Sequence, residues 1–432
     1  MVIAPISASN LIQTVRSGFG KIPDHRASNI QISLTDALMS GFAMFSLKDS
    51  SLLEFDQRRV KGANLKRIYG LKNIPSDTHM RTILDPVSPD ALKPLFKDGL
   101  EYLRQARVLG RLKFRGHYLV SLDGTGYFSS ATVHCASCLE KKNSQTGEVS
   151  YAHQALVGAI VHPDFKEVLP LAPEAIVKQD GTTKNDCERN AAKRFLAQLR
   201  QDYPDWPFII TEDGLSGNAP HVQELHKHNL RYILGVKEGD HAFLFAQVEA
   251  ARQAGQTTEY ECKVKGVLHR FRFIHQVPLN ASHPDLLVNF IEYWEIKGDQ
   301  VQHFCWITDL TVTTANVLEL MRGGRARWKI ENETFNTLKN QGYHFEHNYG
   351  HGQQFLSVNL AVLMLLAFLV DQAQQLASTL FQALLKKEGS RKHLWAHVRA
   401  LFYTLPFASL EEIFSALLYG YQVETVVILG PA

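Results

Sequence analysis

The sequence predicts an α/β protein: a core of strands alternating with helices, a β-rich segment inserted late in that core, and helical regions at both ends. Three observations carry this. Between residues 117 and 236, short apolar or alternating runs are separated by helix-like stretches. Between 258 and 308 the words alternate with a period of two, as in Tyr260-Glu261-Cys262-Lys263-Val264. Before about 115 and after about 350 the chain reads as helices separated by breakers. The expected division is therefore 1–115 helical, 116–237 with 309–350 as the core, 238–308 as the insertion, and 351–432 helical.

In the first region, Ser76-Asp77 and Ser88-Pro89-Asp90 are N-cap words, the second with Pro at the first helical position. Residues 64–69 and 77–84, joined by a Gly-Leu-Lys-Asn-Ile-Pro turn, have the outline of a helix-turn-helix that sets Lys66, Arg67, Lys72 and Arg81 near phosphates. Two short helices around a turn in any α-rich domain are the alternative. The core is expected to contain strands at 117–123, 127–133 and 151–161, a helix at 187–200, a strand at 208–213, a helix at 220–228 and a strand at 232–236. A helix around residue 331 runs to about 340 and breaks at Gly342, and further helices are expected over 355–387 and 394–418.

Three carboxylates stand at the edges of these elements. Asp123 ends the run His117-Tyr118-Leu119-Val120-Ser121-Leu122 and precedes Gly124-Thr125-Gly126, which reads as a strand entering a turn. Asp213 ends Pro207-Phe208-Ile209-Ile210-Thr211-Glu212, before Gly214. Glu331 lies in a helical pattern in which Trp328, Phe335 and Leu338 recur. A carboxylate before glycine is commonly a plain turn residue. Two strand-end aspartates and one helix-borne glutamate are also the minimum that holds a pair of Mg²⁺ ions against a scissile phosphate.

The words around these acids, Leu122-Asp123-Gly124-Thr125, Thr211-Glu212-Asp213-Gly214 and Arg327-Trp328-Lys329-Ile330-Glu331-Asn332, resemble the three blocks of the DDE transposases of bacterial insertion sequences. The likeness is greatest to the branch with a Tyr/Arg/Glu/Lys signature around the third acid. It implies a ribonuclease H-like core, in which the first and fourth strands lie side by side and bring Asp123 to Asp213. It further implies catalysis by Asp123, Asp213 and Glu331 through bound Mg²⁺, with Mn²⁺ as a substitute. The resemblance also implies double-stranded DNA as the substrate, excised and integrated at terminal inverted repeats by a homodimer. On this reading Arg327, Lys339, Lys66, Arg67 and Arg81 are the expected DNA contacts, and Trp294 in the insertion is the candidate to stack on a flipped base. A core role is the alternative for that Trp. The signature is met in part. Gly324 stands where the family places Tyr, and Lys339 lies one residue late relative to Glu331, with Glu333 the reserve for the third acid.

Composition and charge fit such a protein. The net charge is +3, yet the first 116 residues carry about 18 Lys and Arg against about 10 Asp and Glu, so a basic region adjoins a slightly acidic remainder. No basic-then-apolar leader opens the sequence, and the longest apolar run, 360–370, is short of a membrane span and reads as a buried core helix. Five cysteines indicate a reducing cytoplasm without a disulfide framework, hence a cytoplasmic, nucleoid-associated protein without a membrane partner.

Two further constellations invite metal. Cys135 and Cys138 form a Cys-x-x-Cys that supplies two of the four ligands zinc wants, with His153 and Cys187 elsewhere in the chain; a plain thiol pair is the alternative. His344, His347 and His351 follow the Glu331 helix, where Gly350 and Gly352 argue against a helical metal triad and for phosphate contacts or support of the acids. Arg327 lies one helical turn before Glu331, suited to gripping a phosphate or to a surface ion pair. Rival functions are a nuclease on the same fold without strand transfer, and a catalytically silent DNA-binding protein.

Overall fold

The structure is a computed structural model that describes residues 6–27, 29–60, 62–178 and 186–422. The outermost residues of the helical regions expected at 1–115 and 351–432 lie outside that range. The chain forms two compact units, Leu109–Thr337 and a second made of Met1–Val108 with Leu338–Ala432.

The Leu109–Thr337 unit is built on one mixed sheet. Its principal strands are β1 (His117–Ser130), β2 (Leu139–Lys142), β3 (Val149–Val161), β4 (Phe208–Glu212), β5 (Arg231–Gly235), β6 (Thr258–Val264), β7 (Val267–Asn280), β8 (His283–Lys297) and β9 (Gln300–Thr308). They lie in the order β2-β3-β1-β4-β5-β9-β8-β7-β6. At the centre β1, β4 and β5 are parallel, with Tyr118 opposite Phe208 and Ser121 opposite Thr211. Their apolar words are continuous because both faces are covered: Leu119, Val120, Ile209, Ile210 and Ile233 are all fully buried. β3 runs antiparallel to β1 and is paired in turn by the short strands Leu169–Pro170 and Glu174–Ile176. The helix Glu188–Asp202 then crosses over to β4, burying Ala191, Ala192, Phe195, Leu196 and Leu199 at helical spacing. Gly158 on β3 leaves room for the Phe195 ring. This is the ribonuclease H-like arrangement.

β1 corrects the expected turn after Asp123 and the separate strand at 127–133. It runs unbroken to Ser130, Gly124, Thr125 and Gly126 pairing with Leu156, Ala155 and Gln154 before a bulge between Gly126 and Phe128. Neither glycine has a positive φ. Gly124 serves close approach instead: a Cβ there would lie 2.5 Å from the Glu188 carboxylate.

β6 to β9 form a meander that extends the core sheet, since β9 pairs with β5 through Ile307 opposite Leu234. The β6–β7 turn, Lys265-Gly266, has both φ values positive (48° and 84°), as a type I′ hairpin requires. The chain then enters the helix Val317–Arg325 and, after a short turn, a π-helical stretch, Ile330–Phe335, that continues as Asn336–Asn340.

In the second unit, Leu34–Ser46 is buried along nearly its whole length. It packs with Leu356–Ala377, the one described helix long and apolar enough to cross a membrane, whose most apolar stretch is wholly buried here. Gly41 lets the Leu363 side chain approach, a Cβ at 41 falling 2.9 Å from it. Asp85 caps the long helix by accepting from the N–H groups of Gln353, Gln354, Phe355 and Leu356 at 2.9 to 3.1 Å. Lys48 is buried against Asp371 at 2.6 Å and lies over the rings of Tyr343 and Trp395.

Candidate active site

Asp123 and Asp213 each sit two residues beyond the last parallel rung between β1 and β4, so adjacent strands deliver both carboxylates to the same end of the sheet. Each is steadied by a nearby backbone N–H. Gly124 N–H donates to Asp123 Oδ1 at 2.9 Å, and Leu215 N–H donates to Asp213 Oδ1 at 3.0 Å.

Glu331 reaches this end of the sheet through Arg327. Ser121 Oγ, on β1, donates to the Arg327 carbonyl at 3.0 Å and ties the helical segment to the strand. The Arg327 guanidinium lies 2.7 Å from Glu331 and 3.8 Å from Asp123, so one cation stands between the two acids. Arg327 therefore makes the surface-type i,i+4 pair and at the same time faces Asp123. Glu333 lies apart from this pairing and acts on Lys329, which donates to the Phe165 carbonyl. Of the two acids, Glu331 is the one that pairs with Arg327.

A fourth carboxylate, Glu188, completes the cluster. It opens the crossover helix and bears on both Asp123 and Asp213. Partial burial, then the charges of Glu188 and Glu331, push the Asp123 carboxyl up to about 7 against the opposing pull of Arg327 and the Gly124 N–H. Glu188 is itself raised by loss of hydration and by Asp213 and Glu212. Sequence reasoning missed Glu188, because an acid in the first turn of a helix is ordinary macrodipole chemistry. The signal was the glycine at 124, which makes space for it. Four carboxylates at this end of the sheet, with the Arg327 guanidinium between Asp123 and Glu331, are oxygen donors of the kind hard divalent cations take.

The cleft beside the acids, of 360 Å³, is lined by Asp213, Lys237, His303, Trp306, Arg327 and Trp328, among others. Trp328 is 47% exposed with the Arg327 guanidinium 4.6 Å from its ring centre. Gly324, where the signature has Tyr, abuts Trp306: a Cβ would lie 2.5 Å from the indole nitrogen. Arg322 and Arg325 pair with Asp164 and Glu295. Trp294 is half-buried on β8, stacked on His303 at 5.1 Å, with the Arg272 guanidinium 5.4 Å from its ring centre.

The remaining expected contacts belong to the other unit. Lys66 and Arg67 are exposed on the helix Ala63–Ile68, and Arg81 on Asp77–Leu84 pairs with Asp77 at 3.6 Å. Lys339 pairs with Glu346 at 2.7 Å. His344 and His347 also lie in that unit, and Gly350 and Gly352 interrupt any helix there.

Residues 156–369 match the family model of the transposase DDE domain, a span that includes Asp213 and Glu331 and begins after Asp123. A comparison with individually curated proteins gives no match. Taken with the ribonuclease H-like sheet that carries the acids, the match makes the chain a member of the DDE transposases of insertion-sequence type.

Proposed function

We propose that this transposase excises and integrates an insertion sequence by cutting and rejoining DNA at its terminal inverted repeats. The observation that carries the proposal is the convergence of Asp123 and Glu331 on Arg327, beside Asp213 and Glu188. Asp123, Asp213 and Glu331 would hold divalent metal, Mg²⁺ or Mn²⁺. Bound there, the metal supplies Lewis-acid activation of a water or 3′-hydroxyl nucleophile and neutralises charge at the scissile phosphate.

The chain's own groups do the rest. Arg327 holds Asp123 and Glu331 in register before DNA arrives, and its guanidinium suits a phosphate oxygen once the acids have other partners. Ser121 keeps the Arg327 backbone fixed to β1, so the third acid tracks the first. Glu188 raises the negative potential at the site and with it the attraction for cations. Lys66, Arg67 and Arg81 supply phosphate contacts that set affinity but not chemistry. Two chains acting together bring the two element ends to one synapse on the nucleoid.

The test is cleavage of end-labelled DNA spanning the element ends, with gel shift in parallel. Asp123→Asn, Asp213→Asn and Glu331→Gln should each abolish nicking while specific binding stays nearly unchanged. Normal cutting by Glu331→Gln together with failure of Glu333→Gln would overturn the choice of third acid. Nicking by the native protein without joined products would make the chain a nuclease, and binding without nicking a silent DNA-binding protein. If excision passes through a DNA hairpin at the element end, as in the branch the signature resembles, and Trp294 stacks on the base flipped there, Trp294→Ala slows closure of that hairpin more than the first nick; equal loss at both steps makes it a packing residue.

A further inference from the structure

The turn between β1 and β2 and the middle of β3 bring three soft ligands to one point. Cys138 N–H donates to the Cys135 carbonyl at 3.2 Å, closing the Cys-x-x-Cys into a tight turn with both sulfurs on one side. Across from them on β3, His153 directs its Nε2 at both sulfurs, 3.4 Å from Cys135 Sγ and 3.5 Å from Cys138 Sγ, and the sulfurs are 4.0 Å apart. Cys138 and His153 are each 1% exposed. The imidazole plane is set by the neighbouring rings of Tyr127, stacked at 5.8 Å, and Phe128.

These distances have a specific meaning. A tetrahedral zinc with Zn–S near 2.3 Å and Zn–N near 2.0 to 2.1 Å has ligand-to-ligand edges of about 3.8 Å between sulfurs and about 3.5 Å between sulfur and nitrogen. The observed triangle matches those edges. A hydrogen-bonding account is poorer, because one imidazole nitrogen serves one short linear bond, not two sulfurs at equal distance.

We propose that Cys135, Cys138 and His153 bind a structural zinc ion, the two cysteines as thiolates that release their protons on binding. Three protein groups fill three of its four positions, and the fourth takes water or a further side chain. The ion staples the chain after β1 and the edge strand β2 onto β3. In the β1–β3 ladder His153 opposes Phe128 while Asp123 opposes Val157, so the staple secures the far end of the hairpin whose near end carries the first catalytic acid. This site is separate from the carboxylate cluster, takes softer ligands, and does not depend on the transposase reading.

Elemental analysis of the purified full-length chain tests this. One zinc per chain is expected, retained by Asp123→Asn and lost from Cys138→Ser and His153→Gln. Should those variants fail to fold, alkylation of the native protein mapped by mass spectrometry serves instead. Cys135 and Cys138 should be protected until a chelator is added, while exposed Cys187 reacts throughout. Cobalt in place of zinc should give the intense visible bands of a tetrahedral thiolate site. Native protein made in zinc-supplemented medium that carries no stoichiometric zinc would overturn the proposal. So would alkylation of the two cysteines that ignores the chelator, or a Cys135–Cys138 disulfide in the freshly isolated chain.

Discussion

Asp123 holds its proton longer than an isolated aspartate because it is part-buried near Glu188 and Glu331, with Arg327 set against them. An acid whose pKa is raised in the fold gives up its proton first in the unfolded chain, so rising pH favours unfolding across the interval between the two values. In metal-free protein this contribution is absent below about 3.8, and stability falls as pH rises toward about 7. Glu188→Gln removes one of the charges behind the shift and should flatten that decline. Urea midpoints of native and variant chains, compared across the window in the presence of a chelator, check this; identical slopes would remove Glu188 from the cluster. That Asp123 and Asp213 share one end of the sheet was legible in the sequence, because each follows an apolar strand word. Glu188 was not, since only the fold brings the start of the crossover helix against Gly124.

At the scale of elements, the third acid rides on a π-helical stretch, which closes i to i+5 and so takes up more residues per turn than an α-helix. The spacing from Glu331 to Lys339 is one residue longer than the family signature, the kind of excess such a turn absorbs. Period counting saw a helix here but not its type, because apolar recurrence barely distinguishes the two over six residues. The same limit misread β1: Gly124 and Gly126 look like turn residues in the sequence, and only the neighbouring Glu188 side chain explains the first of them. Gly324 follows the same logic. Its missing side chain is the space Trp306 occupies, and Trp306 is 5% exposed. Gly324→Ala should therefore destabilise by about 1 to 3 kcal/mol through overpacking. Trp306→Phe in the same chain should recover part of the loss, so denaturation of the two single variants and the double yields a coupling energy. Additive losses would mean that the two positions do not share the space.

At the scale of the molecule, the second unit is assembled from two stretches of chain that flank the first. Ser9 Oγ donates to Glu411 at 2.7 Å, and the Asn64 side chain donates to the carbonyls of Phe402 and Leu405. Asp85 caps the helix beginning at Leu356, and Lys48 meets Asp371 where both are nearly sealed from water. Lys48→Met strands a buried carboxylate and should cost about 3 to 5 kcal/mol, whereas replacing both partners by apolar residues should recover most of it. Chemical denaturation separates the cases, and a mild effect of the single change would show that Asp371 is relieved by other groups. The helices were legible from their caps and apolar spacing. Their partnership was not, because no local pattern links residue 48 to 371. Residues 1–108 alone should accordingly lack a cooperative thermal transition, and co-expression with 338–432 should restore one. A cooperative transition in the isolated fragment would refute this.

That partnership also sets a timetable for synthesis. The Leu109–Thr337 unit is one continuous stretch and has all its residues once position 337 leaves the ribosome. The first segment must wait for its partner while the intervening sequence is translated, about ten to fifty seconds at roughly 5 to 20 residues per second. During that interval the faces of Leu34–Ser46 that later meet Leu356–Ala377 have no native cover. The nascent chain thus carries an uncovered greasy face on Leu34–Ser46 until Leu356–Ala377 has been made. Chaperone supply and translation speed therefore bear on how much folded protein each messenger yields.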